Sequence, residues 1–168
     1  MLDVACGHGR HMKWFAGRGC TTTGVDQSTQ AVISAAQWGQ VVQADIENGP
    51  WPFQGSSGPQ TFDLVVVTHY LWRPLLGTLA QSVAPGGILI YETFAQGNET
   101  VGKPSRPDFL LRPGELLQAF AGLRVVAYED GFLPEPDRFV QRLVATMPHT
   151  ASDIAPIAAP GLPHRYNL

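Results

Sequence analysis

The sequence predicts an α/β fold: a doubly wound, mostly parallel seven-stranded sheet that ends in an antiparallel hairpin. Three observations predict it. Strand-like and helix-like stretches alternate from the first residues, the most apolar strand lies mid-chain, and the last two strands follow one another without a helix. Alternation of this kind requires parallel strands with right-handed crossovers and helices on both faces. Direct succession makes the final pair antiparallel.

The elements follow in order. "MLDVA" is a short apolar strand that stops at a glycine turn, and "HMKWFAGRG" has helical spacing closed by Gly19. "CTTTGVD" is rich in β-branched residues and reads as the second strand. Ser28 caps "TQAVISAAQW", a helix whose small and apolar positions suit packing on a sheet, and "QVVQAD" is the third strand. A loop rich in Gly, Pro and Ser, "ENGPWPFQGSSGPQ", leads to "FDLVVVTHY", a central strand buried on both faces. Pro74 opens the helix "PLLGTLAQSVA", and "PGGILIYETF" is a turn and the fifth strand. The long polar loop "AQGNETVGKPSRPDFLLR" has the length of functional loops. The helix "PGELLQAFAG" precedes the hairpin of "LRVVAYEDGF" and "RFVQRLVATM". Residues 1–147 form one domain, and 148–168, Pro- and Ala-rich without periodicity, form a loosely ordered tail.

The 168 residues suffice for one hydrophobic core, and 44% apolar content excludes a mostly disordered chain. A net charge of −3 with scattered basic residues argues against nucleic-acid and anionic-membrane partners, which need a concentrated basic face. Cys6 and Cys20 are too few for a disulfide framework. Asp3, His8, Arg10, His11 and Lys13 interrupt any leader-like apolar stretch, so a cytoplasmic location is expected.

Ligands of doubly wound sheets bind outside the carboxyl ends of the strands, at the switch point. Gly7 and Gly9 fall there. Without Cβ atoms they let a ligand approach the backbone, and the amides that open the first helix favour an anionic group. Asp26 ends the second strand, where a carboxylate can take both ribose hydroxyls, and Asp45 ends the third, where it can accept from an adenine amino group. Either acid could instead be a cap or a surface residue. A nicotinamide fingerprint needs a third glycine where Met12 stands, which speaks against an oxidoreductase, and a P-loop's Gly-Lys-Ser/Thr is absent. Cys6, His8 and His11 invite a metal reading, but a fourth ligand is missing and no metal is expected.

"LDVACGHGRH", "GVDQS", "QADIE", "FDLVVVTHYL" and "APGGILIYETF" together resemble the S-adenosylmethionine-dependent methyltransferases of Rossmann-like fold. The stretch "NETVGKPSRPDFLLRPGEL" is most similar to a bacterial branch near the tellurite-resistance methyltransferases. The resemblance implies S-adenosylmethionine as cofactor. It places Asp3 near the methionine amino group, with Ala5, Gly7 and Gly9 along the methionine part. Asp26 would hold the ribose, Gln27, Asp45 and Ile46 would meet the adenine, and Thr68 and His69 would sit beside the sulfonium. Ala5 stands for a usual glycine, and Gln27 stands where an apolar residue often packs on the adenine. Family members also carry helices before the first strand, so the sequence is expected to be a shortened version of a longer protein.

Direct methyl displacement needs alignment and desolvation, and a base only for a protonated acceptor. His69 and Tyr70, after the fourth strand, are the candidate catalytic residues; the alternative is that His69 satisfies a backbone group while Tyr70 packs under the next helix. Glu92 and Thr93 end the fifth strand near the same pocket, and Lys103, Arg106 and Arg112 would attract an anionic acceptor or merely be solvated. "THYLW" lacks the Asn/Asp-Pro-Pro-aromatic motif of nucleic-acid amino methyltransferases, so a small-molecule acceptor is expected. The alternative function is a cofactor-binding protein that has lost turnover.

Overall fold

The structure, a computed structural model, describes residues 1–149; the expected tail beyond Pro148 and His149 lies outside the described residues. Seven strands form the sheet: β1 (Leu2–Val4), β2 (Thr23–Asp26), β3 (Gln40–Gln43), β4 (Phe62–Thr68), β5 (Val83–Phe94), β6 (Arg124–Leu133) and β7 (Arg138–Thr146). Their order is β3-β2-β1-β4-β5-β7-β6. The first five pair in parallel, and β7 lies antiparallel between β5 and β6. The final pair is therefore the antiparallel hairpin that direct succession requires.

The chain winds from β1 outward to β3, then crosses back to place β4 on the other side of β1. The carboxyl ends of β1 and β4 consequently diverge, which is where a doubly wound sheet opens its crevice. Four helices carry the crossovers: α1 (Arg10–Ala16), α2 (Thr29–Ala35), α3 (Leu76–Gln81) and α4 (Glu115–Ala119). Ser28 does cap α2, its Oγ accepting from the Ala31 amide at 3.3 Å. Pro74 opens a single 3₁₀ turn, Arg73–Leu75, rather than the helix itself.

All of β1 is buried, and so are Val65, Val66 and Val67 of β4, as expected for strands covered on both faces. Tyr91 and Phe120 fill the far side of the core with ring centroids 5.7 Å apart. The Gly-, Pro- and Ser-rich stretch is more than a loop. It folds into a minimal hairpin, Gln54–Gly55 with Gly58–Pro59, and buries Trp51 edge-on against Phe53, which is in turn edge-on to Phe62. The turn before β5 is likewise part of the strand: β5 starts at Val83, and its register against β4 shifts across the Pro85-Gly86-Gly87 stretch.

Candidate functional site

Four short segments meet at the switch point. The first is the loop from Ala5 to Gly9. Its backbone turns through the left-handed region at Ala5 (φ 53°), Gly7 (φ 53°) and Gly9 (φ 78°). A Cβ on Gly9 would stand 2.9 Å from that of Ala35, so this glycine lets the loop press onto α2. A Cβ on Gly7 would meet nothing within 4 Å among the described residues; its bare face looks onto open space. Ala5 adopts the same hand with a Cβ in place, a strain of about 1–2 kcal/mol.

Asp26 ties this loop to β2. Oδ2 accepts from the Gly7 amide at 2.9 Å and Oδ1 from the Ser28 amide at 2.9 Å. Each oxygen keeps a lone pair for a further donor, so the carboxylate is held in place and still able to take a pair of hydroxyls. Asp45 is more heavily engaged. Its Oδ1 accepts from the amides of Glu47 and Asn48, and its Oδ2 from the Asn48 side-chain amide. Those bonds, the Asn48 side chain first, hold its carboxyl below the usual value. One lone pair on Oδ2 remains.

Between these segments lies a cleft of about 170 Å³, lined by Ala5, Asp26, Gln27, Ala44, Asp45, Ile46, Glu47 and Tyr70. Five of the predicted cofactor-site residues thus come together: Ala5, Asp26, Gln27, Asp45 and Ile46. Asp3 does not reach the surface. It is 1% exposed beneath the loop, 3.6 Å from His11 Nδ1, and its Oδ2 has no partner among the described residues. Burial raises its pKa more than the His11 hydrogen bond lowers it. Cys6, beside it, has its thiol pushed up to about 12 by burial and by the charges of Asp3 and Asp26. That thiol is a packing group at neutral pH. Among the described residues no three His, Cys, Asp or Glu side chains converge as a metal site requires.

The fourth segment follows β4. Thr68 ends the strand opposite Glu92 in the β4–β5 register. His69 has φ 54°, and its amide donates to the Glu92 carbonyl at 2.9 Å. The imidazole stacks on Phe94 at 5.2 Å, stays 46% exposed, and has Nε2 3.6 Å from Glu92 Oε1. Glu92 Oε2 in turn accepts from Arg142 Nε at 2.5 Å. The Tyr70 carbonyl accepts from the buried Tyr91 hydroxyl at 2.9 Å, which anchors this turn to the core. The Tyr70 hydroxyl is buried without a partner among the described residues. Burial, then the negative charge of Glu47, hold its pKa above the ordinary phenol value. At neutral pH it is thus a donor, not a base.

A second cavity, about 300 Å³, opens on the far side of Tyr70, lined by Glu47, His69, Tyr70, Leu71, Thr93, Phe94, Pro104 and Phe109. Glu47 and Tyr70 belong to both cavities. The three basic residues read as either drawing in an anion or merely being solvated do not line this cavity. Arg106 pairs with Asp108 at 3.0 Å, and neither Lys103 nor Arg112 lines this cavity.

Three residues outside the sequence reading shape this wall. Glu47 is one. Arg73 is another: it grips Glu115 through Nε (2.6 Å) and Nη2 (3.0 Å) and donates to the carbonyls of Asp108 and Leu110. Buried Asn98 staples the long loop, donating to the Pro104 carbonyl and accepting from the Phe139 amide. The long loop is therefore held at both ends.

A family model described as a methyltransferase domain matches residues 1–87. The fold is similar to that of TehB from Haemophilus influenzae, with a TM-score of 0.69 and 13% identity over 87% of this chain. The chain spans 57% of the length of that protein. A SAM-dependent methyltransferase from Methanosarcina mazei gives a TM-score of 0.68 and 14% identity, covering 89% of this chain and 92% of its own. The N-methyltransferase NodS from Bradyrhizobium japonicum gives 0.66 and 18%, covering 88% and 85%. No curated protein matches the chain.

Proposed function

The chain belongs to the methyltransferase domain family, and on that premise we propose that it moves a methyl group from S-adenosylmethionine to a small-molecule acceptor by direct in-line transfer. The observation that carries this reading is the pair of adjoining cavities. One is built for a nucleoside and the other is apolar-walled, and they share Glu47 and Tyr70.

The residues fit the cofactor. Asp26 offers two fixed carboxylate oxygens with free lone pairs, suited to a ribose diol. Gly7 leaves clear the space its Cβ would occupy, as close passage of a ligand along the backbone requires. Ile46 and Ala44 supply apolar contact for a purine, and Asp45 has one lone pair left for an exocyclic amine. When bound, S-adenosylmethionine supplies a methyl group already activated on a positively charged sulfur. The protein then has to align and desolvate the partners, and Tyr70, between the two cavities, is placed to do so. His69 takes the proton of an acceptor that arrives protonated, with Glu92 orienting its ring.

The described residues contain no helix long and apolar enough to cross a membrane. The scattered charge and the aromatic lining of the second cavity support a small acceptor over a polymer. Incubation with S-adenosylmethionine labelled in the methyl group, against pools of small metabolites, DNA, RNA and protein, tests the reading. Label is expected in a small organic product. Label in nucleic acid or protein instead would overturn it.

A further inference from the structure

The second cavity has a chemistry that selects its occupant. Its walls are Tyr70, Phe94, Phe109, Leu71 and Pro104, and its one carboxylate is Glu47. Among the described residues that line it there is no Lys or Arg. Arg142 pairs with Glu92 and Glu129, Arg73 with Glu115 and Arg106 with Asp108, and Lys103, next in sequence to Pro104, is not among the residues that line the cavity. An anion entering here would meet apolar rings and a carboxylate with no ion pair among the described residues, and both oppose it. A cation gains from the same two features, the carboxylate by charge and the aromatic faces by their quadrupole.

Resting on the methyltransferase reading above, we infer that the acceptor is an amine carried on an aromatic or comparably apolar body, bound with its nitrogen toward Glu47. The body fills the space between Phe94 and Phe109, where lining groups are apolar on both sides. The nitrogen then lies at the wall that the acceptor cavity shares with the nucleoside cleft. Glu47 attracts the ammonium form that such an amine adopts in water, and His69, on the same cavity, receives a proton from it. The neutral nitrogen gives its lone pair to the methyl carbon as the carbon–sulfur bond returns its pair to sulfur. The charge moves from sulfur to nitrogen, and a proton lost from the methylated ammonium leaves to water.

Three probes of one shape separate the possibilities: phenethylamine, phenethyl alcohol and 3-phenylpropionate, each titrated into the protein saturated with S-adenosylhomocysteine, which permits no turnover. The amine is expected to bind at least tenfold more tightly than the carboxylate. Glu47→Gln is expected to weaken the amine at least fivefold while leaving the alcohol within twofold. Glu47→Lys is expected to reverse the order of amine and carboxylate. Equal or tighter binding of the carboxylate to the unaltered protein, or an amine affinity indifferent to Glu47→Gln, would overturn the assignment. Titration of S-adenosylhomocysteine alone, run first, separates the two levels: if it binds and the amine does not, the acceptor class is wrong. If it does not bind, the methyltransferase reading fails and the acceptor assignment falls with it.

Discussion

The Gly7 amide donates to Asp26 Oδ2 at 2.9 Å, across nineteen positions of sequence. One hydrogen bond thereby fixes the loop after β1 to the end of β2, and the Ser28 amide holds the other carboxylate oxygen. Removing the carboxylate orphans two amides at once. Asp26→Ala is expected to lower stability by about 1–3 kcal/mol, with Asp26→Asn losing less because its carbonyl still accepts. Urea unfolding of the three proteins measures this.

Ala5 carries a Cβ at φ 53°. Replacing it by glycine relieves about 1–2 kcal/mol of backbone strain, offset by the extra freedom glycine brings to the unfolded chain. Ala5→Gly is expected to raise stability by up to about 1 kcal/mol, and Ala5→Val to lower it. Thermal unfolding distinguishes the two signs.

Glu115 gives the fold an acid-sensitive joint. Burial would raise its pKa, but the Arg73 hydrogen bonds and charge, with the Arg112 amide, outweigh burial and hold it below the ordinary 4.5. A depressed acid contributes stability above its unfolded pKa and loses it as pH falls through its folded one. The protein is therefore expected to lose stability as pH drops below about 4.5, and Glu115→Gln to be less stable at pH 7 with a flatter acid limb. Urea midpoints between pH 3 and 7 check the slope.

His69 and Glu92 act together if the imidazole is the base. His69→Asn is expected to lower kcat about 100-fold while leaving cofactor affinity within twofold, and Glu92→Gln to shift the pH profile of kcat. A structural histidine would instead give lower stability and an unshifted profile.

Much of the fold is legible because its signals are local. The alternation of apolar strands with helical spacing, the Ser28 cap and the unbroken succession of the last two strands each sit within a few residues. Asp26 closes β2 as its place in the sequence predicts, whereas β3 ends at Gln43 and Asp45 lies two residues beyond it, in the turn that its own carboxylate ties together. What was missed depends on partners far away in sequence. Arg73 meets Glu115 at a separation of 42 and Asn98 meets Phe139 at 41, so neither has a neighbour that marks it. Trp51 and Phe53 sit among glycines and prolines with no periodicity, and the edge-on chain from Trp51 through Phe53 to Phe62 is what reveals them as core. Glu47 carried no spacing signal, and its weight comes from two cavities meeting at it.

The most direct test of the account is a calorimetric titration of S-adenosylmethionine into the purified chain, run beside Asp26→Ala and Asp26→Asn at a temperature where all three are folded. The account predicts saturable one-site binding that Asp26→Ala weakens at least tenfold, about 1.4 kcal/mol, with Asp26→Asn between the two. A folded chain that takes up no S-adenosylmethionine, or one whose affinity is the same without the Asp26 carboxylate, would contradict it.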